Sequence, residues 1–169
     1  MATTVIHIQW QGPFSIEEAL KLRDEDVDYG IYQVYGANAV YGLGTLLYLG
    51  KAQEQTFGQR IKQERWPDWE LFEGKVEFYV GRLHGSSTPS DSLWSKQIAL
   101  AEALLIAAHK PSHNSSGIGY LSKKLDRALR ELHILNWGDF AKLLPEVSGE
   151  RWSSKFEYMA DYDAYGKHR

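Results

Sequence analysis

The sequence contains no cysteine among its 169 residues. This absence excludes disulfide bonds, cysteine zinc sites and thiol nucleophiles, although it does not fix the cellular compartment. Any chemistry that the chain performs must therefore use oxygen and nitrogen side chains.

Long hydrophobic runs are absent as well, since no stretch approaches the roughly 20 apolar residues that cross a bilayer. The first residues, Met1-Ala2-Thr3-Thr4, lack the basic region and apolar run of a secretory signal. The hydrophobic fraction of 43% and the aromatic fraction of 13% are ample for one core. We therefore expect a single soluble domain in the cytoplasm, without a membrane partner.

An excess of positive charge is missing too, because the formal net charge is -3 and the pI is about 6.1. Phosphate binding needs positive charge close to the backbone, so any contact with nucleic acid must be local. A solvated helix face is the alternative explanation of such charges. Two groups of basic residues are candidates for nucleic-acid binding: Lys51, Arg60, Lys62 and Arg65 in one, and Lys123, Lys124, Arg127 and Arg130 in the other.

Residue patterns predict alternating strands and helices in the first half of the chain. Ser15-Ile16-Glu17-Glu18 is a capping box, which satisfies amides at a helix start. Aromatic, β-branched and alternating segments favour strands, and strong helix formers before Pro67 favour a helix. The predicted strands are 5–10, ended by Gly12-Pro13, then 29–35 and 45–49 as a hairpin with a long loop, and 75–83; the predicted helices are 16–23 and 54–65.

The strongest predicted helix begins at Asp91 or Ser92 and ends before Pro111. It is apolar on almost every side, so we expect it to be buried. Glu102 is the anomaly within it, because a buried carboxylate is costly unless it is paired or binds a cation. A further helix is predicted at 120–132, followed by an aromatic tail that either packs on the sheet or stacks on bases.

Two attractive motifs do not hold. Gly42-Leu43-Gly44 begins like a dinucleotide fingerprint, but Leu47 takes the place of the third glycine, so we expect a loop. His109 and His113 are spaced like zinc ligands on a helix, yet Pro111 lies between them. Neither motif predicts a site.

A combination of residues spread over the hairpin and both helices is more informative. Gly30-Ile31-Tyr32 and Tyr48-Leu49-Gly50 lie on the two hairpin strands, and they are followed in order by Arg60, Glu102 and Asn114. This order resembles the GIY-YIG nucleases, whose name-giving tripeptides lie on neighbouring strands of a small sheet flanked by helices. The resemblance covers about residues 29–115, with Leu49 in place of isoleucine in the second tripeptide.

The resemblance implies roles for these residues in phosphodiester hydrolysis. Glu102 would hold one divalent cation, Mg²⁺ or Mn²⁺. Tyr32 would act as general base, which requires positive charge nearby, and Lys51 and Arg60 are its sources. Arg60 would also bind the scissile phosphate, and Tyr48 would orient the phosphate or the water. Four residues would support the site: Asn114, Gly30, Gly50 and Glu64.

Each residue also has a structural interpretation. Tyr32 and Tyr48 could be ordinary sheet aromatics, and Arg60 and Glu102 could be a structural ion pair. The chain also departs from the family at Glu64, where a histidine or tyrosine is frequent. A glutamate here puts in doubt any mechanism that uses this position as a base. The alternative is that Glu64 gives the metal a second acidic contact.

The expected fold is α+β: a small mixed or mostly antiparallel three-stranded sheet flanked by helices, with an N-terminal arm at 1–28 and an extension at 116–169. The expected function is metal-dependent endonucleolytic cleavage of DNA, as in a free-standing restriction or defence nuclease. The alternatives are a nucleic-acid-binding module without cleavage, a repair or structure-specific nuclease, and RNA as substrate. Double-strand cleavage with one site per chain would also suggest a homodimer.

Overall fold

A computed structural model of the chain describes residues 4–64, 75–84, 91–115 and 128–152. The architecture is α+β, as expected. The strands are β1 Thr4–Phe14, β2 Gly30–Asn38, β3 Gly42–Ala52, β4 Glu77–His84, β5 Leu132–Gly138 and β6 Glu146–Ser148. The helices are α1 Ile16–Ala19, α2 Phe57–Lys62, α3 Asp91–His109 and α4 Gly149–Trp152.

All six strands form one mixed sheet in the order β3-β2-β4-β1-β5-β6. The pairing of β1 with β5 is parallel, whereas the other four pairs are antiparallel. The expected three-stranded sheet was therefore wrong. The proposed arm supplies β1 and the proposed extension supplies β5 and β6, so both belong to the body of the sheet.

The N-terminal strand is longer than its pattern predicts. It continues past Gly12-Pro13, whose peptide bond is cis, and its register with β4 shifts between Gln11 and Phe14. The capping box at Ser15 is confirmed, with Glu18 N donating to Ser15 Oγ and Ser15 N donating to Glu18 Oε2. The helix ends early, at Ala19, and Arg23 Nε donates to the Leu20 carbonyl beyond it.

The hairpin β2–β3 has a short connection at residues 39–41 instead of the long loop that we expected. Gly42 and Gly44, which we placed in that loop, belong to β3 and adopt the positive φ angles of 85° and 62° that favour glycine. Helix α2 begins at Phe57 rather than at Glu54, because Thr56 is extended and its amide donates to Gln59 Oε1. This capping contact sets the first turn.

Helices cover both faces of the sheet. Successive side chains of a strand point to opposite faces, so Ile31 and Tyr32 belong to different cores. Ile31 packs in the core formed with α3, together with Trp10 and Leu49. Tyr32 packs in the core formed with α1 and α2. As expected, α3 contributes many fully buried side chains: Ile98, Ala101, Leu104 and Leu105.

The C-terminal part of the sheet was not predicted. Residues 120–127 of the predicted helix 120–132 lie outside the described residues, residues 128–130 are helical, and Leu132 begins β5. Trp137 on β5 packs beside His7 of β1, with 6.1 Å between ring centroids, and its Nε1 donates to His7 Nδ1. None of the helices in the described ranges is long and apolar enough to cross a bilayer.

Candidate active site

Tyr32 and Tyr48 lie side by side on β2 and β3. Their ring centroids are 6.0 Å apart. Tyr32 is fully buried, and burial raises its pKa well above the usual value, an effect that nearby Arg60 opposes but does not reverse. Burial also raises the pKa of Tyr48. The residues around Tyr32 therefore do not lower its pKa, although the expected role as general base calls for a lowered pKa.

Gly30 and Gly50 make room for close packing around these tyrosines. A Cβ atom on Gly50 would lie 2.5 Å from the Tyr32 hydroxyl oxygen and 2.6 Å from Tyr48 Cε1. At Gly30, a Cβ atom would meet the carbonyl oxygen of Gly81 on β4, and the φ angle is 143°. The tripeptide glycines are thus required by close approach.

The carboxylate of Glu102 has the cationic partner that its burial demands. Lys51 Nζ lies 3.1 Å from Glu102 Oε2, and the Glu102 side chain is 18% exposed. Burial raises the pKa of Glu102, while the charges of Lys51 and Arg60 lower it in part. This contact joins α3 to the edge strand β3.

Arg60 has a different partner from the one that we considered. Its Nη1 atom lies 2.6 Å from Glu64 Oε1, one helical turn further along the chain. The structural alternative of an Arg60–Glu102 ion pair is therefore replaced by two separate pairs, Lys51–Glu102 and Arg60–Glu64. Glu64, at which the chain differs from the nucleases that it resembles, thus brings a carboxylate into contact with Arg60.

A cavity of about 210 Å³ brings these groups together beside β3. Glu102, Lys51 and Arg60 all line it. Three further lining residues were missed from the sequence: Gln53, Glu54 and Gln55. Their position between Lys51 and Arg60, in the segment joining β3 to α2, is the signal that could have found them.

The donor atoms at this cavity suit a hard divalent cation. Mg²⁺ binds oxygen ligands, commonly one or two carboxylates, and retains several waters. Glu102 supplies a carboxylate, and Gln53 has a buried amide oxygen with no hydrogen-bond partner among the described residues. The described residues hold no group of three or more histidine, cysteine, aspartate and glutamate side chains that could bind a metal. A cation at this cavity would therefore have few ligands among the described residues and would keep several waters.

Asn114 fastens the chain after α3 to the free edge of β3. Its Nδ2 donates to the Leu49 carbonyl at 2.9 Å, and Leu49 N donates to its Oδ1 at 3.0 Å. The backbone amides of Ser112 and His113 donate to the carbonyls of Leu46 and Leu47. Residues 112–114 thus cover an edge that would otherwise be open.

The proposed nucleic-acid-binding residues are only partly described. Lys62 is exposed and lines a second cleft of about 630 Å³ together with Arg23, and this cleft shares Glu54 and Gln55 with the first cavity. Arg130 is half-buried, with its Nε atom inaccessible, which removes part of its guanidinium from solvent. Four of the candidates lie outside the described residues: Arg65, Lys123, Lys124 and Arg127.

His109, half of the rejected zinc pair, has a structural role. Leu144 N donates to its Nε2 at 2.9 Å, so Nδ1 carries the proton and donates to the Leu105 carbonyl at 2.9 Å. Burial lowers the pKa of His109, which favours this neutral form. Nε2 therefore links α3 to the chain after β5, while the bond of Nδ1 to Leu105 lies within α3 and orients the ring.

Comparisons with protein-family models, curated proteins and solved structures found no match.

Proposed function

We propose that the protein is a metal-dependent phosphodiesterase that cleaves DNA, with the GIY-YIG nucleases as the model for its central elements. The observation that carries this proposal is the single cavity that Lys51, Arg60 and Glu102 line beside β3. Tyr32 and Tyr48 are close enough to Arg60 and Glu102 for those charges to act on both hydroxyls. Five side chains suited to phosphoryl transfer are therefore near one another, three of them at the cavity.

The contiguous strands β3-β2-β4 support the likeness in fold. These three strands are antiparallel, and the first two carry the tripeptides. Helix α2, with Arg60, and helix α3, with Glu102, flank them on opposite faces. In this proposal β1, β5 and β6 enlarge the family's smaller sheet.

In the proposed reaction a water oxygen attacks phosphorus and the water proton passes to a base. The bond from phosphorus to the leaving oxygen breaks, and that oxygen takes a proton from solvent. Arg60 binds a phosphate oxygen through its planar guanidinium, after exchanging or sharing its contact with Glu64. The Tyr48 hydroxyl positions the phosphate or the water, and Tyr32 receives the proton once it has lost its own to solvent. A divalent cation on Glu102 would supply Lewis-acid stabilisation of the charge that develops on the phosphate.

Binding of nucleic acid without cleavage is the second candidate. It is favoured by the raised pKa values of both tyrosines and by the two ion pairs, which together resemble a filled structural network. The two functions differ in their dependence on metal. A binding module retains nucleic acid without Mg²⁺ and is indifferent to Glu102→Gln.

The test is cleavage of supercoiled plasmid, single-stranded DNA and RNA in Mg²⁺, with Glu102→Gln and an EDTA sample alongside. We expect both to reduce cleavage by about 100-fold or more, because charge stabilisation at the phosphate is lost. Glu77→Gln is the matched control, since Glu77 is a half-buried glutamate on β4 that does not line the cavity. Wild-type binding without cleavage on any substrate would support the binding module instead.

A fold control is built into the same variant. Because burial raises the pKa of Glu102, its carboxylate form destabilises the fold above that pKa, and the effect vanishes in acid, where the group is protonated in both states. Glu102→Gln should therefore melt at or above the wild-type temperature at neutral pH. A melting temperature well below wild type would assign its inactivity to unfolding.

A further inference from the structure

Gln53 occupies a special position at the candidate active site. It follows β3 directly and lines the cavity with Glu102 and Lys51. Its Oε1 atom is buried and accepts no hydrogen bond from the residues that the structure describes. A buried acceptor without a partner loses its hydration without compensation, so native proteins retain few of them. An atom of this kind, on a residue that lines a cavity together with the carboxylate of Glu102, is suited to bind a cation.

We propose that Gln53 supplies its amide oxygen as a second protein ligand to the divalent cation held by Glu102. This inference rests on the proposed function and deepens it, since Glu102 was the sole metal ligand expected from the sequence. Amide oxygens belong with carboxylates and waters among the hard ligands that such cations take. The cation would provide the partner that Oε1 lacks among the described residues.

The charge of the cavity explains why an amide suits this position. Two cationic side chains, Lys51 and Arg60, line it with two carboxylates, Glu54 and Glu102. A further oxygen ligand strengthens cation binding, whereas a further negative charge would repel the phosphate that Arg60 is proposed to bind. The neutral amide of Gln53 gives the oxygen without the charge.

Competition with Lys51 gives Gln53 a specific task. The Lys51 ammonium already contacts Glu102 Oε2, so an incoming cation must share or displace this contact. With Glu102 as its single protein ligand, the cation would gain one contact at the expense of the contact with Lys51. A second oxygen ligand favours the metal over the ammonium, because the cation gains both contacts at once.

Gln55 is the natural control, because it lines the same cavity but its amide is engaged elsewhere. Gln63 Nε2 donates to Gln55 Oε1 at 2.7 Å, and Gln55 Nε2 donates to Gln63 Oε1 at 3.1 Å. The two glutamines thus differ in the one property that the inference uses. Gln53→Met and Gln55→Met each remove one side-chain amide oxygen, and the two substitutions change the side-chain volume equally.

The experiment measures Mn²⁺ binding to the chelator-treated full chain without nucleic acid, by electron paramagnetic resonance and calorimetry. We expect Gln53→Met to weaken binding by about tenfold or more, as losses at metal sites commonly do, while Gln55→Met stays within about twofold of wild type. Gln53→Glu keeps the oxygen and should bind at least as tightly as wild type. Glu102→Gln should abolish saturable binding.

Thermal unfolding supplies a second readout. Without metal, Gln53→Met should melt at or above the wild-type temperature, because it removes a buried acceptor without a partner. At the same excess of Mn²⁺, wild type should gain more in melting temperature than Gln53→Met, since the stabilisation by a ligand grows with the logarithm of its affinity. Equal gains in the two proteins would overturn the inference.

The outcomes separate this inference from the proposed function. Binding that Glu102→Gln removes and Gln53→Met leaves unchanged would overturn the role of Gln53 alone. Gln53→Glu binding as weakly as Gln53→Met would also overturn it, because the oxygen would then not be what the cation uses. Wild type with no saturable Mn²⁺ binding would overturn both the inference and the metal-dependent function.

Discussion

Tyr32 carries a hydroxyl that burial keeps protonated at neutral pH. A general base must begin the reaction as phenolate, so a raised pKa leaves only a small reactive fraction. While the pH is below the pKa, the phenolate fraction grows about tenfold for each unit by which the pH rises. The burial that makes the base scarce also makes the phenolate a stronger proton acceptor once it forms.

We therefore predict that the cleavage rate rises with pH between about 7 and 9.5, with a slope near one on a logarithmic plot. Tyr32→Phe should remove both the slope and most of the activity. Tyr41→Phe, a change to a tyrosine that is 72% exposed at the hairpin tip, should leave the profile unchanged. A flat wild-type profile would contradict a phenolate base and leave Tyr32 as a hydrogen-bond donor.

Of the residues that the sequence singled out in order, Tyr32 packs beside Tyr48, and Arg60 and Glu102 line one cavity. Arg60 and Glu102 nevertheless take separate ion partners. The spacing of Arg60 and Glu64 on one helix turn was sufficient to place them on a common face. Helical spacing does not identify Gln53, whose one signal in the sequence is its position between Lys51 and Arg60. The burial of its amide oxygen, without a partner among the described residues, exists only after β3 and α3 are packed.

At the scale of elements, the strength of the local pattern decides what could be predicted. The alternation in β4 and the apolar residues of α3 gave elements close to those observed. Strand β5 was missed because its parallel partner, β1, lies more than 100 residues earlier in the chain. Parallel strands are not joined by a hairpin turn, so no turn motif indicates the pairing. The strands of the hairpin were predicted, but their ends were set by backbone pairing.

Residues 112–114 hold the chain after α3 against β3 by hydrogen bonds, and the side chain of Asn114 makes two of these bonds. Asn114→Ala leaves the Leu49 amide and carbonyl buried without their partner, so we predict a loss of about 2 kcal/mol in the free energy of unfolding. Urea denaturation measures this loss. Asn38→Ala, whose side chain accepts from exposed turn amides, should cost less.

Activity should fall in Asn114→Ala even where the variant remains folded, because Leu49 lies between Tyr48 and Lys51. Stability and cleavage rate close to wild type would show that the edge is held by the backbone contacts of Ser112 and His113 alone.

For the whole molecule, the sheet order contradicts a division into core and appendages. Strand β1 lies between β4 and β5, and Ile8 and Trp10 on it are fully buried. We predict that a fragment of residues 29–115 does not unfold cooperatively, since it lacks β1 and exposes the apolar face of α3. Circular dichroism during heating checks this against the full chain. A sharp transition in the fragment would show that three strands and two helices suffice.

The two ion pairs at the cavity also bear on how a substrate would arrive. Each pair holds opposite charges within 3.1 Å or less, so their fields largely cancel beyond the Debye length of about 8 Å at physiological ionic strength. The electrostatic attraction of these two pairs for a nucleic acid approaching through solvent would therefore be weak. The diffusional encounter of the nucleic acid should therefore be slow and nearly insensitive to salt, and salt should act mainly on its dissociation, after the pairs have opened onto the phosphate.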